Sequence, residues 1–166
     1  MRLPFRAKLY RIALVRWVDL PRNTVSRLKL PAAEIRGGGQ GWNALLRFND
    51  DLDRVTLLPG KPGKLKLAFK VELLRAAGVE AGDTVEFTLE PDTASREPEL
   101  PEEMRRAFRS RPELQKHWLA HSLAQRRQVV RYILQAKSAE VQAKRSWIFI
   151  ERLAETGSLS NPDYAK

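Results

Sequence analysis

The sequence contains no cysteine, which excludes a disulfide framework and a thiolate nucleophile. It also has no long apolar run. The first twenty residues place a charge every few positions and do not build the hydrophobic stretch of a signal peptide. No later stretch is apolar enough to span a bilayer. These absences predict a cytoplasmic protein without a membrane span.

Catalytic motifs are missing as well. No serine lies in a nucleophile elbow, and no pair of acids has the spacing of a general acid and base. Asp50, Asp51 and Asp53 indicate a loop, because a calcium loop needs later ligands and a glutamate. We therefore expect a protein that is not an enzyme and that uses no cofactor.

What the chain has in excess is positive charge. Its 166 residues include 30 Lys and Arg against 20 Asp and Glu, a net charge of +10. The excess is +6 over residues 1–60 and +7 over residues 101–154, whereas residues 61–100 carry −2. Charge of this size bears on partners and solubility rather than on fold, and it predicts an affinity for anionic partners.

Two short segments alternate between apolar and polar residues. Lys64–Lys70 places Leu65, Leu67 and Phe69 on one face, and Thr84–Glu90 repeats the pattern. This period of two is typical of strands with one buried face. Between the two segments, helical spacing from residue 71 to 77 predicts a short helix that Gly78 ends.

The first half of the chain resembles this strand–helix–strand unit at a shift of 49 residues, which places Val18 on Leu67 and Val25 on Leu74. The order of elements agrees as well, so we predict an internal duplication. A hairpin is expected around Gly38–Gly41, and a short strand at 55–58. Six or seven short strands predict a small closed β-barrel.

The composition changes near Pro91, after which two flanking prolines and no apolar periodicity predict a linker. Helices follow: Ser122 and Gln125 form a capping-box pattern, and Gly157 ends the last helix. The predicted class is α+β, with these parts: a barrel at 1–92, a linker at 93–100, a helical tail at 101–157 and a frayed C-terminus at 158–166.

Two sets of residues resemble known bacterial families. The barrel resembles a domain of the AbrB/MazE double-split type through Trp17-Val18-Asp19-Leu20-Pro21, Arg36-Gly37, Leu58-Pro59-Gly60 and the segment 73–85. The tail is similar to the family named "bacteriocin-protection, YdeI or OmpD-associated", through Leu100-Pro101-Glu102-Glu103, Arg126-Arg127, Ile133, Ala136-Lys137, Lys144-Arg145 and Leu153-Ala154-Glu155.

The first resemblance implies a double-split barrel. Barrels of this type usually close from two chains, and two half-barrel motifs would let this one close within a monomer, so we expect a monomer or a weak homodimer. The second resemblance implies a role in protection from antimicrobial peptides, exerted through a protein partner.

The basic residues of the tail are the main candidates for a binding site, because clustered guanidinium groups bind phosphates. The alternative is a solvated face with local ion pairs, as Glu140 would form with Lys144. A polyanion, nucleic acid above all, is the expected ligand of these residues: Arg105, Arg106, Arg109, Arg126, Arg127, Arg131, Lys137, Lys144 and Arg145.

Two further features have alternative interpretations. Trp147 and Ile148 belong to an apolar turn of helix, which is either packed between barrel and tail or a face for a partner. Glu113, His117 and His121 have helical spacing, but a new helix begins at Ser122 and no fourth ligand is fixed. We therefore predict surface histidines and no metal site.

Overall fold

The computed structural model describes residues 1–35 and 39–160. It divides into two compact units, Met1–Ala94 and Ser95–Lys166, the first built on a sheet and the second helical, so the predicted α+β class is confirmed. The first unit contains β1 (Leu3–Lys8), β2 (Tyr10–Ile12), β3 (Val15–Pro21), α1 (Thr24–Leu28), β4 (Ala32–Glu34), β5 (Gln40–Phe48), β6 (Asp51–Pro59), β7 (Lys64–Phe69), α2 (Val71–Ala76) and β8 (Thr84–Pro91). The second contains α3 (Glu102–Ser110), α4 (Pro112–Leu119), α5 (Leu123–Leu134) and α6 (Ala139–Thr156).

The strands form one antiparallel sheet that curls into a half-barrel. Its hydrogen-bonded order is β1-β8-β5-β6-β7-β3-β2, and β4 pairs with β5. The two outermost strands, β1 and β2, are consecutive in the chain and only Leu9 separates them. Since neighbouring parts of one segment form both edges, the sheet has to curl.

The predicted closed double-split barrel is not confirmed, because the described strands leave the ladder open between β1 and β2. Leu9 marks the point where the chain changes partner. Its N–H donates to the carbonyl of Asp83, and its own carbonyl accepts from the N–H of Gly82, both at 2.8 Å. The segment then leaves β8 and pairs with β3 as β2.

The concave face of the sheet holds the core of the first unit. The two segments predicted as alternating strands are β7 and β8, and their inward residues are buried as expected. Phe69 and Phe87 meet edge to face with ring centroids 5.3 Å apart, a geometry that aromatic pairs favour. The predicted hairpin lies partly outside the described residues, which omit 36–38. Beside that gap, β4 pairs with β5 from Ala32 opposite Trp42 to Glu34 opposite Gln40.

The order strand, helix and strand occurs twice in the first unit, as β3, α1 and β4 and again as β7, α2 and β8. The predicted 49-residue shift superimposes β3 on β7, whereas β4 after the same shift ends just before β8 begins. Val18 lies directly opposite Leu67, its counterpart at this shift, in the antiparallel pair of β3 and β7, and both are fully buried. An antiparallel pair centred on two equivalent residues has a local twofold axis there, so the repeat has a geometric counterpart in the sheet.

The C-terminal ends of α1 and α2 are equivalent at the same 49-residue shift. Each helix ends in a Schellman motif, in which a residue with left-handed backbone follows the last turn. Lys29 has φ 52° after α1, and Gly78 has φ 66° after α2. The backbone hydrogen bonds at the two helix ends are equivalent. After α1, the N–H groups of Lys29 and Leu30 donate to the carbonyls of Ser26 and Val25; after α2, those of Gly78 and Val79 donate to the carbonyls of Arg75 and Leu74.

We expect Lys29→Gly to raise the free energy of unfolding by about 0.5–1 kcal/mol, because a side chain at left-handed φ costs about 1–2 kcal/mol and glycine's greater unfolded-state entropy offsets part of that gain. Chemical denaturation measures the change. Lys29→Ala keeps the Cβ that strains the left-handed backbone and removes the rest of the side chain with its charge, so it should give no gain. An equal gain in both variants would assign the effect to the lysine charge instead.

The helical unit has its own core and clear helix ends. Each helix contributes one fully buried apolar side chain, in order Met104, Leu114, Ile133 and Leu153. The predicted capping box at the start of α5 is confirmed, and the predicted end of α6 at Gly157 is confirmed by its φ of 68°. Ser138 accepts from Val141 N–H to begin α6. Packing of these four helices fixes the orientation of α5, which carries the candidate site.

Candidate functional site

The most cationic surface of the helical unit lies on α5 and in its flanking loops. Residues 114–139 contain no acidic side chain, while they include five Lys and Arg. Within α5, Arg127 and Arg131 are exposed, and neither has an ion pair with any residue in the described ranges. Positive charge here is therefore not neutralised by local carboxylates.

The sequence of α5 explains why these two arginines point outward. Val129, Val130 and Ile133 are buried against the other helices. Arg127 and Arg131 are one turn apart on a different face, so their Cβ atoms lie about 5–6 Å from each other. Two exposed glutamines lie beside the pair, Gln128 directly after Arg127 and Gln135 four residues after Arg131. We call these four residues the α5 basic face.

Arg126 is different from its neighbour Arg127. It is only 8% exposed, and its guanidinium forms a double contact with the carboxylate of Glu97. A further N–H bonds the carbonyl of His121. The structure thus places this predicted ligand-binding residue inside the unit, where it connects the segment before α3 to the start of α5.

The arginines of α3 are mostly paired. Arg105 and Arg106 both bind Glu102, at 2.7 and 2.9 Å. The hydrogen bond from Arg106, followed by the charge of Arg105, lowers the pKa of the Glu102 carboxyl. Arg109 is exposed at the end of the helix and has no ion pair among the described residues. The first turn of α3 therefore presents little free charge.

The remaining basic candidates lie around the start of α6. Lys144 pairs with Glu140 at 3.2 Å, as the i, i+4 spacing predicted. Arg145 lies over the ring of Tyr132, 4.3 Å from its centroid, and donates to that residue's carbonyl at 2.6 Å. Lys137 is exposed in the loop between the helices. The helical spacing thus brings Arg127 and Arg131 together on α5, while Lys137 and Arg109 are exposed elsewhere on the unit. The other candidates are paired or buried.

The side chains of Trp147 and Ile148 are not buried. Trp147 is 52% exposed and Ile148 is 42% exposed, whereas the next two residues, Phe149 and Ile150, are buried. The interpretation in which this whole turn is buried is therefore wrong, because only half of it faces the core. Successive residues on a helix are about 100° apart, so Trp147 and Ile148 lie on separate flanks of α6 and do not form one compact patch.

The three residues weighed as metal ligands do not share one helix. Glu113 binds Arg111 at 2.9 Å, and its pKa is lowered, first by its own backbone N–H and then by Arg111. His121 follows the end of α4, with its Nε2 2.9 Å from the carbonyl of Gly157. Across residues 1–35 and 39–160, no three His, Cys, Asp or Glu side chains come together as a metal-binding group.

The helical unit is similar to a known protein family. Residues 97–156 match the family described as Bacteriocin-protection, YdeI or OmpD-Associated. The match begins at Glu97, the partner of Arg126, and ends at Thr156, the last residue of α6, so it includes all four helices. This supports the predicted resemblance of the tail.

The bacteriocin-protection match does not reach the sheet unit, so the likeness of that unit to AbrB-type barrels stays a prediction. No curated protein matches the chain. In the described part of the chain, no helix combines the length and the apolar composition needed to cross a bilayer.

Sequence reasoning overlooked one surface in the first unit. The turn between β2 and β3 exposes Ile12 and Leu14, and Arg11 and Arg16 lie beside them. The signal was available as a short palindrome of residue types, aromatic–Arg–aliphatic followed by aliphatic–Arg–aromatic, from Tyr10 to Trp17. Periodicity searches miss it because the pattern spans a turn.

Proposed function

We propose that the helical unit binds a polyanion, with nucleic acid as the leading ligand, through the α5 basic face. One observation carries the proposal: Arg127 and Arg131 are exposed in the acid-free segment 114–139, and neither pairs with a carboxylate of residues 1–35 or 39–160. Guanidinium groups in this state are free to form bidentate bonds with phosphate. The exposed glutamines on the same helix add neutral donors and acceptors.

The energetics favour recognition of the backbone over recognition of sequence. Each phosphate contact releases condensed counterions, which makes affinity fall steeply with salt. The face offers two cations, and Arg145 already occupies one side of the adjacent Tyr132 ring, which leaves little aromatic surface on which a base could stack. We therefore expect weak, sequence-independent binding.

The test is fluorescence anisotropy of labelled single- and double-stranded DNA and RNA across a salt series. We expect the double variant Arg127→Gln/Arg131→Gln to reduce the magnitude of the log–log salt slope by about 1.4 for single strands and about 1.8 for duplexes, because each lost phosphate contact contributes about 0.7 or 0.9. The double variant Arg105→Gln/Arg106→Gln is the matched control. It removes the same charge from α3, where Glu102 already occupies both arginines.

Two results would count against this proposal. No binding at low salt by the wild-type protein would show that the net charge serves solubility alone. Equal losses in the two double variants would show that total charge, and not the α5 basic face, controls binding. Arg126 is left unchanged in this design, because its substitution would perturb the fold.

A second candidate function rests on the family match and on Trp147. The matched family is described by bacteriocin protection, so this chain is a candidate protection factor that acts through a protein partner. A half-exposed tryptophan is a common anchor of protein interfaces. Cross-linking in cells should then capture a partner with the wild-type protein and lose it with Trp147→Ala. Retention of the same partner by that variant would remove the candidate.

We further propose that the protein acts by binding and not by catalysis, and that it does so in the cytoplasm. Glu90, Glu102 and Glu113 have lowered pKa values, and each is held by arginine. This direction is opposite to the raised pKa that a carboxylic acid needs to act as a general acid near neutrality. Turnover of any substrate that is lost in Glu90→Gln would contradict the proposal.

A further inference from the structure

The hairpin formed by β2 and β3 extends beyond the strand beside it. Its last pair is Ile12 opposite Val15, whereas β7 joins β3 only from Arg16 opposite Phe69. The tip, residues 12–15, therefore overhangs the sheet. Leu14 is 77% exposed and Ile12 is 59% exposed.

Across the two strands of the hairpin, residues of the same type lie opposite each other in three successive pairs. Ile12 and Val15 form the tip pair, Arg11 and Arg16 the next, and Tyr10 and Trp17 the third. Arginines directly opposite each other repel and weaken a sheet. Neither has an ion pair with a carboxylate anywhere in the described residues. Such an arrangement gains stability when an anion is bound beside it.

Both arginines are held in place by the turn. Arg11 Nε donates to the carbonyl of Ala13 at 2.6 Å, and Arg16 Nη1 donates to that of Leu14 at 2.8 Å. Ala13 takes a left-handed φ of 52°, which a non-glycine residue adopts only at a cost. Each guanidinium has five N–H groups, so most remain free for a ligand.

Side-chain contacts hold the base of the hairpin. The Tyr10 hydroxyl donates to Asp19 at 2.6 Å, and burial, together with this carboxylate, raises the pKa of Tyr10 to about 12. Lys66 lies 4.8 Å from the centroid of the Trp17 ring. The half-buried aromatic pair thus fixes the overhanging tip relative to the sheet.

We propose that this hairpin tip docks on an anionic lipid surface. The three levels match the layers of a membrane interface: aliphatic side chains for the acyl boundary, guanidinium groups for lipid phosphates, then Tyr and Trp at headgroup depth. The tip is convex, so a protein partner would have to supply a complementary pocket, whereas a lipid surface accepts a protruding tip without one. The inference is independent of the α5 basic face.

The test is flotation of the full-length protein with vesicles of phosphatidylcholine alone or mixed with phosphatidylglycerol. We expect binding only to the anionic mixture. Leu14→Asp should lower the partition coefficient by more than about tenfold, because it places a charge where apolar contact is needed. Arg11→Gln/Arg16→Gln should lower it by about thirtyfold. Leu52→Asp, at an exposed leucine elsewhere in this unit, is the matched control and should bind as the wild type does.

Each alternative has a distinct outcome. Failure to bind anionic vesicles would overturn the proposal. The proposal would also be overturned if Arg127→Gln/Arg131→Gln lost vesicle binding while Leu14→Asp kept it, since charge on the helical unit would then be responsible. Self-association that Leu14→Asp abolishes, measured by sedimentation, would assign the tip to a second copy of the chain. Matching thermal unfolding of Leu14→Asp and the wild type shows that the variant is folded.

Discussion

Arg126→Ala should lower the free energy of unfolding of the helical unit by about 2–4 kcal/mol, the range expected when one partner of a largely buried ion pair is removed. The substitution leaves the carboxylate of Glu97 and the carbonyl of His121 without their donor. Glu97 is partly exposed, so water replaces some of the lost interaction and keeps the effect below the maximum for such pairs. It also leaves a cavity where the arginine stem was packed.

Denaturation monitored by far-ultraviolet circular dichroism measures this effect, and Arg127→Ala is the natural control. Arg127 is the adjacent residue, equally cationic but exposed, so its loss should change stability by no more than about 0.5 kcal/mol. Glu97→Gln keeps the shape of the partner and should show a smaller loss than Arg126→Ala. Equal stability of the two arginine variants would mean that the buried pair is unimportant.

The contrast between these adjacent arginines shows what the sequence alone does not determine. Both occur in an acid-free segment, and a helical pattern separates them by only about 100°. What distinguishes them is Glu97, which lies 29 residues earlier in the segment predicted as a linker. Because that contact depends on the packing of several helices, local periodicity cannot reveal which arginine is buried.

Local signals were nevertheless sufficient for most elements. Alternation predicted β7 and β8, the Ser122–Gln125 spacing predicted the start of α5, and Gly78 predicted the end of α2. Each of these depends on residues close together in sequence. At the helix ends the repeat holds even where residue types differ, since Lys29 adopts the conformation that Gly78 adopts easily.

The errors came from long-range geometry. Closure of the sheet depends on which partner each edge strand finds, and the change of partner at Leu9 is a matter of two hydrogen bonds to residues 82 and 83. The exposure of Trp147 likewise depends on how far neighbouring helices extend over α6. An apolar turn indicates burial only when the surrounding elements cover it on every side.

Gly157→Ala should lower the free energy of unfolding of the helical unit by about 1–3 kcal/mol. Gly157 ends α6 with φ 68°, where an alanine is strained. In addition, a Cβ at this position would lie 3.0 Å from Nδ1 of His117, so the imidazole ring has to shift. The Gly157 carbonyl also accepts from His121, which therefore carries its proton on Nε2. The effect combines backbone strain, a steric contact and a displaced hydrogen bond.

Gly78→Ala separates the first of these contributions from the others. Gly78 has nearly the same φ, 66°, but no heavy atom lies within 4 Å of an added Cβ. The loss of unfolding free energy in Gly157→Ala beyond that in Gly78→Ala therefore measures the contribution of the histidine contacts. Combining Gly157→Ala with His117→Ala in a double-mutant cycle should recover most of the steric part, because the crowding ring is gone. Equal losses of stability for the two glycine variants, with no coupling to His117, would show that backbone strain alone accounts for the effect of Gly157→Ala.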